Sequence, residues 1–418
     1  LDERAPDVLA RVLAAGAPLV DFSAGMPGEE RRPEDSEMTA IMCRRPVLEG
    51  ILRQVVEAEP TVDVRAGCDV VGLLAEESSM AGAPRIVGLR TRRGNPILAP
   101  SVVLTTGRQI PVPRWLEGIG ARVPAEFSEG CGLVWFTRYF RIHPRPGEDH
   151  RVSTRLTVES GSDCMMYQIF GADQSTFCVE LAVPSWDHEL RSLRHEPVHM
   201  AVARALPEIG DWLDSERASP IGPVAAMGQE RNVLRQFVHD GRPIALGLHV
   251  IGDARCQTNS LYAWGSRTAL ASAAALTDVL DEHPGDPEAQ ALAFEQQVAA
   301  EIEGRHHFSL ARDRAMRRAL GSSEDPPSDP DRDFILDTVL PAAEEDPEVF
   351  RAVMRWELQL DPVGALADNG AVLGRARAVA ARGRPERGGP VEPTRDTVLE
   401  LISRASSGAA RDGRSMSG

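Results

Sequence analysis

The sequence contains no lysine: its 46 basic residues are all arginine, and 62 acidic residues outnumber them. No step that needs a lysine side chain can therefore be carried by these 418 residues. The net charge of −16 argues against nucleic acid or an anionic membrane surface as the main partner. Apolar runs are short as well, and none approaches the ~18–20 residues that a membrane-spanning helix needs. We therefore expect a cytoplasmic protein without an integral membrane segment.

Common catalytic and redox motifs are also missing. The sequence has no GxSxG nucleophile elbow, no Walker A loop and no DxDxDG calcium loop. Its cysteines form no CxxC pair, which predicts reduced and mostly buried thiols rather than a disulfide framework. They stand at positions 43, 68, 131, 164, 178 and 256.

Two histidine patterns resemble metal sites but fail on geometry. His195 and His199 satisfy HExxH, yet Pro197 between them predicts that a helix starts at the proline and leaves His195 outside. The adjacent pair His306 and His307 cannot point in one direction on a helix, so a solvated helix face is the favoured interpretation. We expect no metal site.

The order of predicted elements indicates an α/β protein with more than one lobe. Helices over residues 6–16 and from Pro46 alternate with strands at 39–43, 62–66, 69–77, 85–91 and 101–106. Residues 130–185 carry aromatic and β-branched runs broken by turn residues, a pattern typical of an antiparallel sheet. One of these predicted strands is the run 151–160. Further strands at 232–238 and 243–251 precede helices from Gly265 and over 287–320. We expect a first lobe built from residues 1–125 and 231–285, with a second lobe inserted at 126–230. A helical region at 286–400 and a disordered tail at 401–418 follow.

Two short motifs in the first division have the chemistry of a ligand site. Arg45 begins a predicted helix with Leu48 and Leu52 on one side, so its guanidinium could reach a phosphate while the leucines dock the helix on a sheet. A buried strand ends at Thr106 and Gly107, where glycine lets the backbone approach a ligand closely. An ordinary amphipathic helix and a plain strand-to-loop turn explain these motifs equally well.

The third motif is the stretch from Gly252 to Ser266. Asp253 follows an apolar strand and can accept hydrogen bonds from a sugar-like hydroxyl, and a small-residue helix opens at Gly265 and Ser266. The positive end of that helix favours an electron-rich ligand edge. A capped β–α crossover without a ligand is the alternative interpretation.

In this order the three motifs resemble those of FAD-dependent monooxygenases of the para-hydroxybenzoate hydroxylase type. The resemblance implies that Arg45 and Asp253 contact FAD, and that the loop from Asn259 to Gly265 lies near the flavin ring. The resulting cofactor-binding candidates are Arg45, Val70, Thr106, Gly107, Gly252, Asp253, Gly265 and Ser266. The implied fold is a Rossmann-like FAD-binding lobe built from 1–125 and 231–285, with an inserted, mainly antiparallel substrate lobe and a helical C-terminal region.

The sequence departs from the family pattern at four places, one of which is Leu104 in the second motif, where an aspartate is expected. The first βαβ unit with its GxGxxG motif is absent, so we expect a fragment that lacks some tens of residues upstream of Leu1. In the third motif Ser260 replaces a proline and Ala263 replaces a glycine. The methyl group of Ala263 stands where the backbone should approach the flavin.

The activity implied by the resemblance is a monooxygenase reaction. NAD(P)H reduces the flavin, and O₂ then supplies the oxygen atom that hydroxylates or epoxidises a small organic substrate. No catalytic residue is assigned, and Trp135, Tyr139 and Tyr167 are candidate substrate walls, although aromatics on strands are more often core. A flavin-dependent reductase, a halogenase-like enzyme, and a non-catalytic relative that has lost flavin are the alternatives.

Overall fold

The computed structural model describes residues 4–28, 30–108, 112–143, 162–206, 209–322, 330–383 and 393–415. Helices and strands are numbered here in chain order. The strands are β1 (Leu19–Asp21), β2 (Thr39–Ile41), β3 (Val70–Glu76), β4 (Arg85–Thr91), β5 (Ile97–Leu98), β6 (Val102–Leu104), β7 (Ala125–Gly130), β8 (Leu133–Ile142), β9 (Met166–Ala172), β10 (Thr176–Pro184), β11 (Ala218–Pro220), β12 (Ala225–Met227), β13 (Arg231–Gln236), β14 (Val238–His239), β15 (Arg242–Pro243), β16 (Leu248–Val250) and β17 (Cys256–Gln257). The helices are α1 (Pro6–Ala14), α2 (Arg45–Ala58), α3 (Val112–Glu117), α4 (Glu196–Ala205), α5 (Gly265–Glu282), α6 (Pro287–Ala319), α7 (Pro330–Phe334), α8 (Leu340–Ala342), α9 (Pro347–Glu357), α10 (Ala365–Asp368), α11 (Gly370–Ala381) and α12 (Arg395–Ser415).

The largest sheet is antiparallel, as the pattern over residues 130–185 predicts. Its order is β11-β8-β10-β9, and β12 pairs with the first half of β8. Phe136 and Phe140 of β8 point into a core formed with α4 and α12. Leu133 and Trp135, on the opposite side of the same strand, point into a second core that contains Trp356 of α9. Both faces of the sheet are therefore covered by helices. The run 151–160 lies outside the described residues.

A short parallel pair positions the candidate site. β6 and β16 run side by side, with Val102 opposite Leu248 and Leu104 opposite Val250. All four of these side chains are buried on one side of the pair, whereas Val103 on the other side of β6 is exposed, so the expectation that this strand is covered on both sides is wrong. Because the strands are parallel, their carboxyl ends meet at one edge. Across the described ranges, parallel pairing is limited to β6–β16 and a bridge between Arg85 and Leu246.

The region from residue 286 onward is helical in its described part, as predicted, and it packs on a core rich in aromatic residues. Trp264 and Trp356 pack edge to face with ring centres 5.4 Å apart. The guanidinium of Arg305 on α6 lies 5.2 Å from the Trp264 ring and 4.7 Å from the Trp356 ring. Among the helices that the structure describes, none is long and apolar enough to cross a membrane.

Two predictions of local structure are wrong. Residues 62–66 form no strand, because Val62 and Val64 are exposed and no neighbouring strand pairs with them in the described part of the chain. The tail from residue 401 was expected to be disordered, yet α12 continues to Ser415. The start of this helix is apolar on one side, and Val398 is fully buried against the core of the antiparallel sheet. That packing outweighs the low complexity of the sequence that follows.

Candidate cofactor site

The loops after β6 and β16 bring two of the sequence motifs together. Gly107 and Gly252 both have left-handed backbone conformations, with φ of 68° and 62°. Glycine adopts this conformation without the steric cost that other residues meet. Arg108 then spans the two loops, because its Nε donates a hydrogen bond to Oδ2 of Asp253 at 3.1 Å.

The start of α5 adjoins the same carboxylate. A Cβ atom at Gly265 would lie 3.9 Å from Oδ1 of Asp253, so only ordinary van der Waals distance separates the two groups. The helix begins at Gly265 as predicted, and Ser266 is exposed in its first turn. Asp253 therefore lies at the positive end of a helix of 18 residues, where a negative charge is stabilised.

The loop that leads into α5 contains both substituted positions. Ala263 has a φ of 54°, the left-handed conformation that glycine adopts more easily. Ser260 has a partner, since its Oγ donates to Oε2 of Glu230 at 2.8 Å. The other oxygen of Glu230 accepts a hydrogen bond from Nη1 of Arg108 at 2.8 Å. The side chain of Glu230 is buried and connects this loop to the loop after β6.

A buried hydrogen-bond network centred on Asp313 holds the beginning of this loop against α6. Asp313 of α6 accepts hydrogen bonds from Asn232 Nδ2 at 2.6 Å, Asn259 Nδ2 at 2.7 Å and the Tyr262 hydroxyl at 2.6 Å. Burial raises the pKa of Asp313 to about 6, although these hydrogen bonds act in the opposite direction. The network fixes Asn259 and Tyr262, which flank the substituted Ser260.

Arg108, Glu230 and Asp313 are not among the site residues that the sequence predicts. Arg108 directly follows the Thr-Gly motif, and this position was the available signal. Asp313 gave no signal, because the buried side of α6 also carries Arg305, His306 and Ser309. A helix side with so many polar residues is typical of solvent exposure.

The geometry fits a cofactor with polar groups that approach the backbone closely. Oγ1 of Thr106 is buried and has no hydrogen-bond partner among the described residues, so it can bond to a ligand. A Cβ atom at Gly107 would meet nothing within 4 Å, which leaves open space beside this backbone. Asp253 adds a half-exposed carboxylate acceptor at the same edge.

Arg45 and Val70 are not brought to these loops by any described contact. Arg45 begins α2 as predicted, but its side chain is 86% exposed and its Nε bonds to Glu49 at 2.5 Å. Leu48 and Leu52 pack in a cluster formed mainly with α1, which also includes Ile41 of β2. Val70 begins β3, opposite Thr91 of β4.

The three aromatic residues proposed as substrate walls do not share a surface. In an antiparallel pair, residues directly opposite each other point to the same side. Phe136 and Tyr167 both lie opposite Leu181, so Tyr167 belongs to the side that packs against α4 and α12. Trp135 and Tyr139 point to the other side of β8. Trp135 is buried in the helical core, and 36% of Tyr139 is exposed.

The start of α4 separates the two histidines of the HExxH pattern, as Pro197 predicts. His195 caps α4 from outside the helix, whereas His199 is buried and its Nε2 lies 3.2 Å from the carbonyl oxygen of Phe136. The expected solvated position of His306 is wrong: it is buried in α6, and burial lowers its pKa to about 4. Within the described ranges, no group of three or more His, Cys, Asp or Glu residues could hold a metal ion.

No protein-family model and no curated protein matches the sequence. Solved structures do match in fold. The flavin-dependent brominase Bmp2 has a TM-score of 0.56 and 15% identity, over 91% of this chain and 86% of its own. PqsL from Pseudomonas aeruginosa, a probable FAD-dependent monooxygenase, has a TM-score of 0.52 and 17% identity, over 76% and 84%. The myxobacterial chondrochloren halogenase CndH has a TM-score of 0.50 and 17% identity, over 96% and 84%. This chain therefore has the fold of flavin-dependent monooxygenases and halogenases.

Proposed function

We propose that this protein is an FAD-dependent oxidoreductase whose cofactor binds at the carboxyl ends of β6 and β16. The observation that carries the proposal is the juxtaposition of Thr106 and Gly107 with Asp253 at the start of α5. The fold of flavin-dependent enzymes supports the same cofactor class.

Each group at this edge would have a defined part in holding FAD. The Asp253 carboxylate would accept hydrogen bonds from ribitol hydroxyls, and the unpartnered Thr106 Oγ1 would bond to a polar cofactor atom. The N–H groups at Gly265 and Ser266 would face the electron-rich edge of the flavin or its pyrophosphate. We retain Gly107 and Gly252 as positions of close backbone approach. Arg45 and Val70 remain proposals that rest on the sequence resemblance alone.

The specific activity we propose is monooxygenation of a small organic substrate with NAD(P)H and O₂. Bound flavin supplies the redox chemistry, while the protein binds, orients and excludes water. Arg108 lies between Glu230 and Asp253, so it fixes the loop after β6 relative to the loop before α5. Asp313 holds Asn259 and Tyr262 in place, and this keeps the loop that would lie beside the flavin ring in one conformation.

Cofactor binding is tested by adding FAD to the purified protein and recording its visible absorption and flavin fluorescence after gel filtration. We expect co-elution of flavin, and about tenfold weaker FAD binding by Asp253→Ala because a charged hydrogen-bond acceptor is lost. Asp281→Ala, which removes an exposed carboxylate from α5, is the matched control and retains wild-type affinity. Absence of FAD binding by the full-length wild-type protein would favour a non-catalytic relative, and equal affinity of Asp253→Ala in that protein would remove the role given to this carboxylate.

A halogenase is the second candidate, because the brominase and the chondrochloren halogenase match over larger shares of this chain than PqsL does. The two activities differ in how flavin is reduced, since halogenases receive reduced flavin from a separate reductase. We expect the FAD-loaded protein to oxidise NAD(P)H directly. Product formation that requires a separate reductase and a halide salt would support the halogenase instead.

A further inference from the structure

A wide groove opens beside the candidate cofactor site. Its volume is about 1020 Å³, and its walls come from the start of β8, the segment after β10 and the segment before β13. Buried small-molecule sites usually have about 300–1,000 Å³, so this groove has room for a whole organic ligand. Glu230 lines the groove and also bonds to Ser260, so the groove borders the loop that leads into α5.

Four arginines and two glutamates line this groove in a protein that is strongly acidic overall. Both glutamates are already neutralised by arginine. Glu230 is paired with Arg108, and Glu129 accepts hydrogen bonds from Arg317 at 2.6 Å and from Arg314.

The remaining arginines of the groove are Arg191, Arg194 and Arg231, and none of them pairs with a carboxylate in the part of the chain that the structure describes. Arg191 donates to the carbonyl oxygen of Ser185 at 2.7 Å, and Arg231 donates to the hydroxyl of Ser128 at 2.8 Å. Most of the guanidinium N–H groups therefore stay available. Elsewhere in this chain, many arginines are paired with the abundant acidic residues, so three arginines without such partners give this groove a local excess of positive charge.

The groove also has an apolar side. Val134 lines it at the start of β8, and Trp186 is a rim residue with 42% of its surface exposed. Gly132 allows the Arg317 side chain to pack against the backbone of this wall, because a Cβ atom at this position would clash severely with Cδ of Arg317. Its φ of 84° also favours glycine. An apolar surface next to unpaired guanidinium groups is complementary to an amphipathic anion.

We propose that this groove binds a small organic acid, with its carboxylate at Arg191 and Arg194, which stand three residues apart in one 3-10 helical turn, and its apolar body against Val134 and Trp186. Binding of the acid does not depend on flavin. Only the identification of the acid as the substrate rests on the proposed function, because it requires the flavin to bind beside Ser260.

The test uses 1-naphthoate and its uncharged analogue 1-naphthamide as probes, titrated calorimetrically into the full chain without flavin. A charged hydrogen bond contributes enough free energy that we expect naphthoate to bind about tenfold more tightly than naphthamide. The Arg191→Gln/Arg194→Gln variant should lose most of that preference. The control variant Arg93→Gln/Arg122→Gln removes the same charge from two exposed arginines outside the groove and should keep the preference.

Absence of saturable naphthoate binding would overturn the proposal, and so would equal affinities for the two probes. A preference that falls equally in both variants would mean that overall charge, rather than the groove, attracts the acid. The same titrations with FAD present separate this proposal from the proposed function. Naphthoate binding in a chain that fails to retain FAD contradicts the flavoenzyme but not the groove, whereas FAD binding without a carboxylate preference contradicts only the groove.

Discussion

Asp313 combines complete burial with three hydrogen-bond donors that converge on its carboxyl group. Removal of a charge from water is costly, and donors of this kind offset only part of that cost. The position of its pKa near 6 means that this cost depends on pH close to neutrality. The residue that holds the Asn259 loop is therefore also a source of pH-dependent stability.

The pH dependence can be isolated by comparing the wild-type protein with Asp313→Asn. The pKa of Asp313 is about 6 in the folded protein and has its ordinary value of 3.8 in the unfolded chain. The stabilisation that protonated Asp313 gives to the fold is therefore fully present below pH 3.8 and is lost as the pH rises through about 6. We expect the unfolding free energy of wild type, relative to the variant, to fall by on the order of 3 kcal/mol from about pH 4 to about pH 8. Denaturant titrations at intervals across this range provide the measurement.

Both proteins share every other titratable group, so their separate acid sensitivities cancel in the difference. A difference that does not change with pH would show that Asp313 has the same pKa in the folded and unfolded chain. A difference that rises with pH would contradict the dominance of burial over hydrogen bonding at this carboxyl group.

At the scale of single elements, much of the fold follows from sequence patterns. The strands β6 and β16 and the start of α5 lie where their apolar and small residues predict them. The side of α6 that is buried could not be predicted, because Arg305 and Asp313 obtain their partners from distant segments. The side of the sheet on which Tyr167 lies could not be predicted for a related reason. Strand pairing decides which side of a sheet a residue occupies, and pairing is not visible from one strand alone.

The connection into α5 contains a residue whose backbone conformation is unfavourable. Ala263 is exposed and left-handed, and an alanine in this conformation costs roughly 1–2 kcal/mol relative to one in the right-handed region. We therefore expect Ala263→Gly to raise the unfolding free energy by about 1 kcal/mol, since part of the gain is offset by the entropy of glycine in the unfolded chain. Thermal and chemical unfolding measure the change.

Ala271→Gly is the matched control for this substitution. Ala271 is exposed in the interior of α5, where glycine costs about 1 kcal/mol relative to alanine, so the control should be destabilised. Opposite signs at the two positions would confirm that the conformation at Ala263, rather than the loss of a methyl group, decides the result. Destabilisation of both variants would contradict the left-handed geometry of this loop.

At the scale of the molecule, the antiparallel sheet is the common support of two helical layers. One side packs against α4 and α12, and the other packs against the aromatic core around Trp356. The end of the chain is thus part of the layer that holds the sheet, on the side opposite to Trp135. Arg395 strengthens the connection, because it donates to Asp187 at 2.9 Å and to Glu189 at 2.6 Å.

This arrangement predicts that the C-terminal helix contributes to global stability. Val398 is fully buried, and Val398→Ala removes two methyl groups from the sheet core, which should lower the unfolding free energy by roughly 1–3 kcal/mol. Ser403→Ala, at an exposed position of the same helix, should change it by less than about 0.5 kcal/mol. The two variants are compared by denaturant unfolding and by the rate at which a protease removes α12. Equal stabilities would mean that α12 does not pack on the sheet, and faster cleavage of Val398→Ala alone would support the layered arrangement.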